Sequence, residues 1–209
     1  MNLRNTIKNC FVQKFTLSDA IFSIILAFSA NIFFRYINYP IIKLFLIGDN
    51  GLAENVFSSI TFSNIFFLCI LPAIIEEVVF RGVFLKKLLY KFSPIKAMIY
   101  SSLVYSILHL DINSVLPQLL LGIILCLISF STNSVIVAMI SHFCYNFIIV
   151  AFENQVLQYL SNNIIIAFLI SLIALIVGVA YFRNKILRRE IQISRRGRGG
   201  ELYLENQER

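Results

Sequence analysis

The stretch SNIFFLCILPAIIEEVVFRGVFL, Ser63 to Leu85, is apolar almost throughout yet carries Glu76, Glu77 and Arg81 in its second half. Its length is that of a transmembrane helix, since about 20 apolar residues cross a hydrocarbon core of about 30 Å. At that depth each charged side chain costs roughly 2.5 to 3.5 kcal/mol on insertion scales, so those that persist have partners or a task. The segment therefore reads as a membrane helix bearing a polar stripe.

The rest of the chain agrees. Of its 209 residues 58% are hydrophobic, only 14% are charged, and twenty are Phe. That is more apolar surface than a soluble domain of this size calls for. Six spans are expected: Leu17 to Tyr39 with Pro40 as its stop, Ser63 to Leu85, Ile95 to Leu110, Val115 to Phe130, Ser134 to Phe152, and Asn163 to Phe182. The expected fold class is an all-α, polytopic transmembrane helix bundle. Ile41 to Phe62 is half-apolar, with Gly48, Asp49, Asn50 and Gly51, and reads as a short interfacial helix and a turn. The chain divides into residues 1–62, with the first span and this interfacial segment; 63–152, a helical core; 153–189, the last span; and 190–209, a basic polar tail expected to lack ordered structure. No internal repeat is evident.

Met1 to Thr16, with Arg4, Lys8 and Lys14, is too polar and too long for a signal-peptide n-region. The apolar segment behind it has no small-residue cleavage pattern, so the first span is expected to be retained. Cys10, Cys69, Cys126 and Cys144 show no CxxC spacing and read as small apolar side chains rather than disulfide partners or metal thiolates. The net charge of +7 would point to nucleic acid in a soluble protein. Here the bases flank the spans, where they set orientation and meet anionic lipid headgroups, so membrane lipids and not nucleic acid are the expected partners.

Few polar groups remain inside the spans. Beside Glu76, Glu77 and Arg81 they include His109 in the third span and His142 with Asn146 in the fifth, and the chain has only these two histidines. Glu77 and Arg81 are four apart and can pair along one helical face, while Glu76 points about 100° away towards a neighbouring helix. His142 and Asn146 share a face, as do Tyr105 and His109. Counted along each helix from its basic end, Glu76, His109 and His142 lie roughly 14, 21 and 12 to 14 Å deep, close enough to meet. A carboxylate beside a neutral imidazole can deprotonate water, and a second imidazole with a carboxamide can donate hydrogen bonds to an oxyanion. These are the parts of amide hydrolysis.

Those residues resemble a known family. Glu76-Glu77-Val78-Val79-Phe80-Arg81-Gly82 is similar to the EExxFRG motif of the CPBP intramembrane proteases, which include CAAX prenyl endopeptidases and bacteriocin-processing or self-immunity proteins. Tyr105-Ser106-Ile107-Leu108-His109 resembles FxxxH, with Tyr where Phe is usual, and His142-Phe143-Cys144-Tyr145-Asn146 resembles HxxxN. The resemblance implies an intramembrane catalytic cavity in a helical bundle, with water activated by Glu76 and His109 and an oxyanion site made by His142 and Asn146. Glu77 and Arg81 complete the implied catalytic set. The implied substrate is a peptide or protein, membrane-bound or lipidated in some members. A glutamate-type reaction without a cofactor is favoured; zinc is the alternative, with Glu76, His109 and His142 as its ligands, although the chain has no HExxH zinc helix.

Two other readings use the same residues. A proton-relaying transporter would also keep Glu and His at depth, but it is expected to show repeats or paired broken spans. A catalytically silent immunity or peptide-binding membrane protein would keep the site without using it. Orientation follows from Arg4, Lys8 and Lys14 before the first span, Lys86, Lys87, Lys91 and Lys96 after the second, and Arg183, Lys185, Arg188 and Arg189 after the sixth. With six spans these clusters share the cytoplasmic side, which puts both termini there. Topology reporters fused at Gln207 and at Asp49 are expected on opposite sides of the membrane; the same side for both would mean a miscounted span.

Overall fold

The computed structural model describes residues 15–45, 60–110 and 114–205. Arg4, Lys8, Cys10, Lys14 and the Gly48 to Gly51 turn lie outside them. The described residues form six helices: α1 (Leu17–Phe45), α2 (residues 62–89), α3 (Pro94–Leu108), α4 (Val115–Thr132), α5 (Val135–Asn162) and α6 (Ile164–Glu205). Four stretches, Leu17–Phe34, Val115–Thr132, Val135–Phe152 and Ile165–Arg188, are long and apolar enough to cross a membrane. Such spans suit an integral membrane protein.

Three boundaries differ from the sequence reading. α1 runs through Pro40 to Phe45, because a proline inside an established helix removes one donor without ending it, a tolerance common in membrane helices. α5 does break its helical geometry at Phe152 (φ −132°, ψ 15°), where the fifth span was expected to end, but helix resumes to Asn162. α6 continues to Glu205, well into the tail expected to be irregular. Once a packed span has nucleated a helix, each further residue adds one hydrogen bond at little cost.

α2 is not uniform. Its segments are α-helical at Phe62–Asn64, Leu71–Glu77 and Leu85–Leu89, and π-helical at Ile65–Ile70 and Val78–Phe84. The wider turns are closed by Leu71 N–H donating to the Phe66 carbonyl and Leu85 N–H to that of Phe80. Single π turns inside α-helices occur mostly at functional sites, and here they bracket Glu76 and Glu77.

The core is shared by α1, α4, α5 and α6: Leu26, Ala27, Ala30 and Phe34 meet Leu121, Leu125, Ile128, Val137, Ala138 and Phe182. A smaller cluster of Leu85, Ala97 and Cys126 joins α2 and α3 to α4. α4 is thus the hub of the bundle. It ends at Asn133 in the left-handed conformation (φ 53°), and Thr132 Oγ1 both donates to the Ile128 carbonyl (2.7 Å) and accepts from Ser134 N–H (3.2 Å). The resulting tight turn sets α5 beside α4.

Polar contacts fasten the outer helices. At the start of α1, Thr16 and Asp19 form a reciprocal cap, Thr16 N–H donating to Asp19 Oδ2 (2.9 Å) and Asp19 N–H to Thr16 Oγ1 (3.2 Å). The same buried carboxylate takes Lys185 Nζ and Tyr181 O–H (3.0 Å) from α6, and the Tyr181 ring stacks on Phe22 at 4.0 Å. The ends of α1 and of the α6 span are stapled at this point.

Small residues set the closest helix crossings, as expected where lipid supplies no hydrophobic drive between helices. A Cβ on Gly122 of α4 would sit 2.9 Å from Ser102 Cβ and 3.2 Å from Ser102 Cα of α3, whereas a Cβ on Gly82 would meet nothing nearer than 3.8 Å. Gly122→Ala should therefore push α3 from α4 and destabilise the protein by about 1 to 3 kcal/mol, while Gly82→Ala should be near neutral. Thermal unfolding of both variants in detergent checks the contrast.

Candidate active site

The site begins where α2 changes from α to π geometry. Glu76 and Glu77 are the last residues of the α-helical segment, and Arg81 lies in the π turn that follows. Arg81 folds back so that its Nη1 meets Glu77 Oε1 at 2.9 Å, with both side chains fully buried. Its Nη2 donates to the Gly122 carbonyl at 3.3 Å, and its guanidinium lies 4.5 Å from the centre of the Tyr105 ring. A buried cation is tolerable only with this density of partners.

The oxygen of Glu77 that holds Arg81 also holds His142. His142 Nδ1 is 2.9 Å from Glu77 Oε1. A carboxylate paired with a guanidinium is an acceptor, so Nδ1 carries a proton and donates it, and in the neutral ring Nε2 is the lone pair. His109, the C-cap of α3, is fixed differently: its Nδ1 lies 2.8 Å from the Tyr105 carbonyl. A carbonyl only accepts, so here too Nδ1 is the donor and Nε2 the lone pair. This bond also satisfies one of the carbonyls left free at a helix end. α3 has 15 residues, about 22 Å at 1.5 Å each, shorter than a hydrocarbon core of about 30 Å.

Both lone pairs face Glu76. Glu76 Oε2 is 3.8 Å from His109 Nε2 and 3.9 Å from His142 Nε2, and this oxygen makes no hydrogen bond among the described residues. The side chains of Glu76 and His109 are 28% and 25% exposed, against 3% for His142, while Glu76 Oε2 itself is buried. Three acceptors converge at separations too long for direct hydrogen bonds. A water molecule about 2.8 Å from each would bridge them, donating to a carboxylate and an imidazole at once.

The sequence-derived set is thus placed as follows: Glu76, Glu77, Arg81, His109 and His142 form one connected cluster drawn from α2, α3 and α5. Asn146 stands one turn from His142, and its Nδ2 donates to the Leu68 carbonyl of α2 at 3.1 Å. One participant stands outside that set: Tyr105, as ring beneath Arg81 and carbonyl for His109.

For zinc, the donor chemistry would be Glu76 Oε2 and the two Nε2 atoms, with Glu77 and the Tyr105 carbonyl orienting the rings from behind. The spacing does not gather them: no group of three His, Cys, Asp or Glu side chains among the described residues is placed to hold a metal ion. Among the described residues, one pocket of about 30 Å³ lies beside Arg81, Lys86, Ser129 and Asn133, and another of about 390 Å³ lies between α1 and α6, lined by Ile25, Phe28, Ile170 and Ala174. Cys69, Cys126 and Cys144 are free thiols.

No curated protein and no solved structure matches the chain. A family model does: that of the type II CAAX prenyl endopeptidase Rce1-like proteins matches residues 57–148, the interval that holds α2, α3, α4 and the part of α5 bearing His142 and Asn146. Residues 57–148 are therefore an Rce1-like domain of the type II CAAX prenyl endopeptidase family, which implies a membrane protease.

Proposed function

We propose that the protein is an intramembrane endopeptidase in which Glu76 and His109 activate a water molecule for attack on a peptide carbonyl. The observation that carries this reading is the convergence of Glu76 Oε2 with two imidazole nitrogens at 3.8 and 3.9 Å, both rings having their Nδ1 protons committed elsewhere. Such a trio accepts protons and cannot donate them, which is what general-base activation of water requires. Water gives one proton to Glu76 while its oxygen adds to the carbonyl carbon. The tetrahedral oxyanion then collapses, the C–N bond breaks, and the proton held by Glu76 passes to the leaving amine. His142 serves the oxyanion as a donor by taking the water-derived proton from Glu76 onto Nε2 before it passes to the leaving amine, and Glu77, already bonded to Nδ1, stabilises that transient imidazolium. The substrate class the family points to is a peptide or protein of the CAAX kind, and a membrane-bound or lipidated chain would be delivered at the depth of the site.

Glu76→Gln keeps the shape of the side chain and removes the base. Turnover of a verified peptide substrate should fall by at least about 10²-fold while the detergent-solubilised protein keeps its unfolding temperature, because Glu76 makes none of the buried ion pairs. Wild-type turnover by the purified variant would remove Glu76 from the reaction.

Metal dependence is decided by elemental analysis together with activity under a strong chelator. The proposal expects substoichiometric zinc and activity that survives chelation. Stoichiometric zinc, with activity lost on chelation and restored by metal, would replace the glutamate-type mechanism and leave the protease reading standing.

A further inference from the structure

Two buried oxygens at the candidate site have no hydrogen-bond partner among the described residues: Glu76 Oε2 and the Tyr105 hydroxyl. They belong to one place. Tyr105 is completely buried, and its phenol interacts with the Glu76 side chain without closing a hydrogen bond to it. A buried hydroxyl left unpaired is costly, so such groups as a rule have a partner, and a water molecule often supplies it.

Packing accounts for the ring and not for the hydroxyl. The Tyr105 ring centre lies 4.5 Å from that of His109, 6.3 Å from that of His142 and 5.1 Å from that of Phe80, edge to face in each case, and 4.5 Å from the Arg81 guanidinium carbon. Phenylalanine would make every one of these contacts. What tyrosine adds is a single O–H, beside groups that accept: Glu76 Oε2 and, in the neutral rings, the Nε2 atoms of His109 and His142.

Counting donors and acceptors gives that O–H a task. A water molecule has two hydrogens and two lone pairs. Held by Glu76 Oε2 and the two imidazole nitrogens, it gives its hydrogens to two of the three acceptors, and none of the three can bond to its oxygen. Both lone pairs then remain open, and the water can turn between them. A donor on one lone pair leaves the other as the single direction of attack, which is the orientation that a reacting nucleophile needs.

We propose that Tyr105 is a further catalytic residue, whose hydroxyl donates a hydrogen bond to the oxygen of the water that Glu76 activates and so orients its attacking lone pair. The phenol keeps its proton throughout: the proton lost by water goes to Glu76, and no bond at Tyr105 is made or broken. The kinetic consequence rests on the protease reading, whereas the bonding of the hydroxyl does not.

Tyr105→Phe keeps the ring and removes the hydroxyl. On a verified peptide kcat should fall about 10-fold, the worth of one hydrogen bond, with KM little changed. The unfolding temperature in detergent should equal or exceed that of the wild type, because the hydroxyl bonds to no other described residue. A wild-type kcat would overturn the proposal, and so would a lowered unfolding temperature, which would make the hydroxyl a structural group. A second measurement needs no substrate. In protein carrying isotope-labelled tyrosine, the Cζ resonance of Tyr105, identified by its loss in Tyr105→Phe, should be that of a hydrogen-bonded phenol and should move to that of an unbonded one in Glu76→Ala, where the water loses its anchor. A resonance that does not respond to Glu76→Ala would overturn the proposal. If the wild type cleaves nothing, the protease reading fails, and this spectrum still decides whether the Tyr105 hydroxyl is bonded at Glu76.

Discussion

A single carboxylate oxygen, Oε1 of Glu77, accepts from Arg81 and from His142 at 2.9 Å each, with all three side chains buried. Most of the site's order depends on this point. Removing one partner of a buried pair costs about 3 to 5 kcal/mol because the remaining charge is stranded, so the three groups hold one another in place. Arg81 extends the network to the Gly122 carbonyl of α4 and to the face of Tyr105 in α3. Four of the six helices therefore meet around one ion pair.

The network also decides which nitrogen donates. Because Glu77 is held as an acceptor by Arg81, His142 presents an Nδ1 proton to it, and in the neutral ring its Nε2 lone pair faces Glu76. His109 reaches the same state by another route, through a backbone carbonyl that cannot donate. The two glutamates, adjacent in the chain, thus have separate surroundings: Glu77 is fully buried in the ion pair with Arg81, and the Glu76 side chain is 28% exposed beside His109. Helical geometry makes the division, since consecutive residues point about 100° apart.

The bundle around this centre is built from contacts suited to lipid. Close crossings use Gly122 against Ser102 and Gly178 against Leu26, and the α1 to α6 staple places Asp19 between Lys185 and Tyr181 near the ends of two spans. α4 lies between the large core and the cluster that carries α2 and α3, so a displacement at its crossing with α3 would be felt by Arg81 directly.

Local properties of the chain were sufficient for much of this. The spans follow from runs of apolar residues, and the Glu77–Arg81 pair follows from a spacing of four on one helix, which no tertiary arrangement can alter. Glu76, His109 and His142 were legible as a meeting point because depth along each helix is a matter of counting. What required the tertiary structure was rotation and partner choice. Sequence spacing puts Asn146 on the face of His142, but only the packing of α5 on α2 sends its amide to the Leu68 carbonyl. The protons of His109 and His142 depend on what each Nδ1 meets, and the carbonyl of Tyr105 leaves no trace in the identity of its side chain. The union of Asp19 with Lys185 spans 166 positions and has no local signature. The helical course of residues 190–205 contradicts their composition, because a helix already formed propagates through residues that would not start one.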